Sequence, residues 1–222
     1  MSYGVTLEVW GDLLCCSRPE LKVERLSYEC LTPSAARGIL ESIYWHPPMQ
    51  YRIDRIHVLN PIRFLTIRKN ELKSKALASS MRSAIAGKGL LPYINTKQDI
   101  QQRTSTILTN VRYVIEAHFD VDESKMEEGD TPAKFISILN RRIQRGQCWQ
   151  QPYLGIREFA ASFAPYSGAM PPRGYYSDSG ERDLGLMLYD MDYSNPKDIT
   201  PMFFRAVMIN GVIDVAGSEV YR

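Results

Sequence analysis

No run of about 18 apolar residues occurs in the chain, so no segment is a candidate membrane-spanning helix. The opening residues MSYGVTLEVWGD hold no basic region followed by an apolar stretch, so no secretory signal is expected and a cytoplasmic protein is. Cys15, Cys16, Cys30 and Cys148 show no CxxC and no Cys/His ligand spacing, which argues against a zinc site or a disulfide framework. They read as small buried apolar residues. His46, His57 and His118 have no ligand spacing among themselves and the acidic residues are scattered, so neither metal nor cofactor is expected. P-loop, GxGxxG and GxSxG patterns are all missing, which leaves nucleotide hydrolases, dinucleotide-dependent enzymes and α/β-hydrolases without support. No internal repeat or low-complexity block is visible.

What is there is ordinary globular composition: 222 residues, 44% apolar and 23% charged, enough for one large domain or two small ones. The net charge of +2 conceals an asymmetry. Residues 52–112 hold twelve Lys and Arg against only Asp54, Glu71 and Asp99, and the rest of the chain is acidic. A one-sided basic distribution suits a polyanion, because each Lys or Arg that meets a phosphate releases counterions. A solvated basic face is the commoner source of such a surplus.

Thr6 to Trp10 alternates as a short strand ended by Gly11-Asp12. Thr32 as N-cap, Pro33 at the first helical position and Ala36, Ile39, Leu40 and Ile43 on one stripe predict a helix stopped by Pro47-Pro48. At 100° per residue Arg37, Glu41 and Tyr44 share one flank of it. Residues 51–68 are β-branched and basic, broken at Asn60-Pro61, and predict one long strand or two colinear ones. Residues 69–102, with Ser79-Ser80, Gly87 and Gly89, read as a long basic loop. Residues 111–121 form the cleanest strand, in which Val111, Tyr113, Ile115, Ala117 and Phe119 face the core and His118 faces away. Thr131-Pro132 opens a second helix with Phe135, Ile138, Leu139 and Ile143 inward and Gly146 past its end, and residues 153–163 read as a further strand. This order, β-α-β-β-α-β, is that of an α+β ferredoxin-like fold with one sheet face free, the face RNA-recognition domains use. The stretch 165–180 is rich in Gly, Pro and Ser and reads as a boundary, dividing the chain into 1–165 and a small antiparallel β-sheet appendage, 166–222, with a hairpin at Asn210-Gly211.

Histidine and tyrosine beside a cationic surface suit metal-free RNA cleavage, because RNA supplies its own nucleophile. The protein need only align the 2′-hydroxyl, move one proton from it and one to the leaving oxygen, and offset phosphoryl charge. His118, with Glu116 two residues away as a charge partner, is the best acid–base candidate, and Tyr44 the next; His46 ranks below them. Trp149, Tyr153 and Phe159 are candidates to stack on bases. Each pattern also has a structural reading: a hydrogen-bonded histidine, a tyrosine on the core rim, aromatics inside the core.

The sequence RPELKVERLSYECLTPSAARGILESIYW at 18–45 resembles the Cas-five family of CRISPR-associated proteins, in its subtype I-C (Dvulg) branch. The likeness continues through IDRIHVLNPI at 53–62, RKNE at 68–71, YVIEAHF at 113–119, QQPYLGIREFAASF at 150–163 and FFRAVMINGVI at 203–213. The resemblance implies a ferredoxin-like RAMP protein that cuts precursor CRISPR RNA at the repeat hairpin without metal. It implies too that the protein keeps the 5′ handle within the Cascade complex, beside backbone subunits of the Cas-seven family and a large subunit of the Cas-eight family. It implies catalytic roles for Tyr44 in SIYW and His118 in EAHF. The family lysine just before the histidine has no counterpart, since Glu116 and Ala117 stand there. Arg37 and Arg112 are the expected substitutes.

Two readings remain open. In the first, an endoribonuclease leaves a 2′,3′-cyclic phosphate and a 5′-hydroxyl, using His118, Tyr44 and Arg37 or Arg112. In the second, a non-catalytic subunit caps the handle, with Arg68, Lys69, Lys73 and Arg157 on phosphates and the backbone at Gly155 approaching the RNA closely.

Overall fold

The computed structural model describes residues 3–21 and 23–222. In chain order its elements are β1 (Tyr3–Leu14), α1 (Pro33–Ile43), β2 (Met49–Val58), β3 (Phe64–Leu72), α2 (Ala78–Ile85), β4 (Ile100–Val121), a 3-10 turn (Glu123–Lys125) and α3 (Pro132–Arg145). There follow β5 (Ser162–Pro165), β6 (Glu181–Asp192), β7 (Thr200–Ile209), β8 (Val212–Asp214) and β9 (Val220–Tyr221). β1 and β4 pair antiparallel in a register that sets Val5, Leu7 and Val9 opposite Ala117, Ile115 and Tyr113, so both strands bury their alternate residues on one face. α1 and α3 cover that face. Ala36, Ile39, Leu40 and Ile43 from α1 and Phe135, Leu139 and Ile143 from α3 enter the same core, as their 3.6-residue spacing requires. Thr32 and Thr131 accept from Ala35 N–H and Lys134 N–H, closing both helix starts as expected.

The sheet order is β5-β1-β4-β2-β8-β7-β6, with β3 on β4 and β9 on β7. β2 and β3 lie colinearly along one edge of β4, joined at Asn60-Pro61, which bears out the two-strand alternative for the basic segment.

Four expectations are corrected. β1 does not stop at Gly11-Asp12; it continues to Leu14, and Gly11 is a flat spot where a Cβ would meet Leu154 Cδ1 at 2.6 Å and the Ala160 carbonyl at 3.1 Å. Residues 69–102 are a loop only in part, over 73–77 and 86–99. β3 runs to Leu72 and pairs with the first part of β4, and the short α2 sits beyond them, making a two-stranded arm. α2 buries no residue and has no side-chain cap, so neither signal that betrays a helix was available. Residues 153–163 hold only a bridge between Tyr153 and Ala160 and a tight turn closed by Leu154 N–H on the Phe159 carbonyl, the strand proper being Ser162–Pro165. Lastly, β6, β7 and β8 do not form a separate sheet, because β8 hydrogen-bonds to β2 through Arg55, Ile56 and His57 and extends the main one. The turn at Asn210-Gly211 is as expected, both residues at positive φ, 49° and 83°.

Cys15, Cys16 and Cys30 are buried, Cys148 is partly exposed, and all four are free thiols. Burial pushes the Cys16 thiol up to about 11 and raises Cys30 as well. At pH 8 such a group is ionised in only about one molecule in a thousand, and the thiolate is the reactive form. A thiol-titrating reagent is therefore expected to find one fast group, Cys148, in the native protein and four after denaturation. Three or more fast thiols in the native state would contradict this packing.

Candidate active site and nucleic-acid interface

The sheet face away from the helices carries the groups of interest. His118 projects from β4 there, opposite Arg52 of β2 and Gly4 of β1. Gly4, the β1 residue directly opposite, has no side chain to set against the imidazole. His118 Nδ1 lies 2.8 and 3.0 Å from the two oxygens of Asp54. A carboxylate can only accept, so Nδ1 carries the hydrogen and Nε2 is left unprotonated in the neutral ring. Nε2 is 3.9 Å from Asp120 Oδ1, beyond hydrogen-bond range, and the side chain is about a quarter exposed. The arrangement suits proton transfer at Nε2.

The expected partner, Glu116, is engaged elsewhere: its Oε1 is 2.5 Å from Nε2 of the buried His57, and its Oε2 is 3.7 Å from Arg55. Asp54 takes its place, from the point where β2 bulges between Ile53 and Arg55 and adds one residue against the β4 ladder. Arg52 Nε is 3.1 Å from Asp120 Oδ2, with half the side chain exposed. Alternation sets Arg52 outward and, two residues on, Asp54. Only the strand register reveals it and Arg52 as neighbours of His118.

The other expected residues do not converge on this point. Tyr44 caps α1 in an extended conformation, φ −153°, so it leaves the helix and the flank shared by Arg37 and Glu41. Its ring lies under the Arg142 guanidinium, 5.0 Å away, and its carbonyl accepts from the core-facing Tyr51 hydroxyl at 2.8 Å. Burial raises the Tyr44 hydroxyl above its ordinary value. Tyr44 is thus on the helix-covered side of the sheet and His118 on the open side. Arg37 donates through Nε and Nη2 to Asp190 at 2.6 and 2.8 Å and through Nη1 to Glu41 at 2.5 Å, which ties α1 to β6 and neutralises its charge. Arg112 shares the open face but pairs with Glu8 at 2.5 Å, and six residues of strand, about 20 Å, separate it from His118.

Among the candidate RNA contacts, Arg68, Lys73 and Arg157 are exposed. Lys69 is held by Glu158 at 2.5 Å and stacks over Phe159, its ammonium 5.1 Å from the ring centre. Gly155, at φ 83°, makes its close approach within the protein: a Cβ there would stand 2.1 Å from the Cys15 carbonyl oxygen. Phe159 is buried, whereas Trp149 is 73% exposed and lines an open cleft of about 400 Å³ with Trp45, Tyr153 and Gln150. Two indoles and a phenol there can stack on flat rings. Among the described residues no group of three or more His, Cys, Asp or Glu is placed to hold a metal ion, and no helix is long and apolar enough to cross a membrane.

Fold and site define a mixed α/β protein, mostly antiparallel sheet, whose open face presents a carboxylate-oriented histidine among arginines. The chain belongs to the Cas5 family, CRISPR-associated proteins, in its Cas5d form: residues 4–216 match that family's model. A relative from Mannheimia succiniciproducens, named CRISPR pre-crRNA endoribonuclease Cas5d, is 47% identical over 218 residues, covering 97% of this chain and 96% of the relative. A protein of the same name from Thermus thermophilus is 37% identical over 237 residues, covering 97% and 94%. Two solved structures share the fold. One, titled only as a CRISPR-associated protein, has a TM-score of 0.70 at 22% identity, covering 99% of this chain and 96% of that one. The other, a functionally uncharacterized Streptococcus mutans protein, has 0.67 at 23%, covering 99% and 97%.

Proposed function

We propose that the protein is a metal-independent endoribonuclease that cuts precursor CRISPR RNA at the repeat hairpin. In this reading it stays on the 5′ handle, in the cytoplasm, as a Cascade subunit beside Cas-seven and Cas-eight family proteins. The observation that carries the proposal is His118, with Nδ1 on Asp54 and, among the described residues, no hydrogen bond at Nε2, beside Arg52; the names of both curated relatives support it. The 2′-oxygen attacks the adjacent phosphorus, the bond from phosphorus to the 5′-oxygen breaks, and a 2′,3′-cyclic phosphate and a 5′-hydroxyl result. One proton leaves the 2′-hydroxyl and one reaches the 5′-oxygen, and His118 Nε2 handles one of the two transfers.

Phosphoryl charge falls to Arg52 in place of the expected Arg37 and Arg112, since Arg52 alone of the three stands beside the histidine. Tyr44, under Arg142 on the other side of the sheet, suits holding the end of α1. Arg68, Lys73 and Arg157 suit phosphate contacts. The path β1-α1-β2-β4-α3-β5 reads as a ferredoxin-like unit, residues 1–165, with the arm inserted between β2 and β4 and 166–222 as a second β unit.

The test is incubation with the cognate repeat RNA in excess EDTA, beside a substrate bearing 2′-deoxy at the cut site. Cutting of the ribose substrate alone is expected. Binding should weaken steeply with salt, by a log–log slope of about −0.7 for each single-stranded phosphate neutralised. Tight, salt-sensitive binding without cutting would leave the handle-capping subunit instead.

A further inference from the structure

We propose that Asp54 is the positioning residue of the active site, and that the turn following β8 holds it in place. The inference rests on the nuclease reading of His118 and adds to it. Asp54 meets His118 Nδ1 with both oxygens, which fixes the plane of the ring as well as its tautomer. Asp120, the other carboxylate near the ring, is drawn toward Arg52 and stays outside hydrogen-bond range of Nε2. Among the described residues Nδ1 has no acceptor besides Asp54, and Glu116 is committed to His57 and Arg55.

Asp54 is the extra residue of the β2 bulge, a conformation that needs backbone partners of its own. The C-terminal segment supplies them. Val215 N–H and Ala216 N–H both donate to the Asp54 carbonyl, at 2.9 and 3.1 Å. Val215 is buried in the common core, and the turn after it is tied by the Ser218 hydroxyl on the Asp214 carbonyl at 2.6 Å and Gly217 N–H on Asp214 Oδ1 at 3.3 Å. The C-terminal β unit therefore shapes a site to which it lends no side chain.

The experiment compares single-turnover cutting by wild type, Asp54→Asn, His118→Ala and the double variant, with RNA affinity and melting temperature read on each. Asp54→Asn is expected to slow cutting about tenfold or more at unchanged RNA affinity. Residues that act as one unit are non-additive, so the double variant should cut no more slowly than His118→Ala. Nitrogen NMR of the wild-type imidazole should find the hydrogen of neutral His118 on Nδ1, a readout independent of how any variant folds. Wild-type cutting by Asp54→Asn with His118→Ala inactive, multiplying effects in the double variant, or a hydrogen on Nε2 would each overturn the role of Asp54 and leave the nuclease reading standing. Wild-type cutting by His118→Ala would overturn both.

Discussion

Replacing His118 by alanine is expected to slow RNA cutting by about 10² to 10⁴-fold, the usual worth of a positioned acid–base group, with RNA affinity within about twofold of wild type. The substitution removes a quarter-exposed ring from the sheet face away from the helices, so the fold is expected to survive it. Arg52→Ala should also cut slowly, because a guanidinium beside the reacting phosphate offsets charge that develops in the transition state. Arg112→Ala should cut at nearly the wild-type rate, since Arg112 is spent on Glu8 about 20 Å down the strand. Rate assays on these three variants with one repeat RNA decide the matter. Equal losses at Arg52 and Arg112 would mean that the phosphate lies elsewhere on the face. Full activity without His118 would remove the acid–base assignment.

Gly155→Ala is expected to damage the fold rather than the RNA contact. The new Cβ would stand 2.1 Å from the Cys15 oxygen, 2.4 Å from its carbonyl carbon and 2.8 Å from Cys16 N, all backbone atoms that cannot swing away. The segment is further pinned by Cys15 N–H on the Leu154 carbonyl at 3.1 Å. A φ of 83° costs an L-residue about 1–2 kcal/mol, and overpacking typically adds about 1–3 kcal/mol. For a chain of this size each kcal/mol lowers Tm by about 2–4 °C, so a fall of roughly 5–15 °C is expected by thermal melting. An unchanged Tm with a large loss of RNA affinity would restore the expectation that this glycine admits RNA.

The elements legible from the chain are those whose signals are local. α1 and α3 announce themselves by a Thr-Pro start and an apolar stripe. The core half of β4 does so by period-two alternation, and the β7–β8 hairpin by Asn210-Gly211. The Gly11-Asp12 pair and the glycine at 155 misled for one reason: glycine marks both a turn and a place where two backbones crowd together, and only the crossing of 154–160 over β1 tells which. The arm was illegible because α2 buries nothing and β3 is exposed along much of its length, so no core printed a pattern on them.

Period-two alternation sufficed to put His118 on the open face, because that rule needs no knowledge of any other strand. Its partners are another matter. Asp54 lies 64 residues away and meets the imidazole at a bulge that shifts the β2 register and is held from the far end of the chain. Arg37, whose helical spacing pointed to an open flank, was claimed by Asp190 from 153 residues away. The sequence by itself determined which residues can do chemistry and which face of their own element they occupy, since both follow from bonding type and backbone period. Which of them meet, and which charges are already neutralised, only the tertiary structure decided, because register, bulge and long-range ion pairs depend on elements distant in the chain.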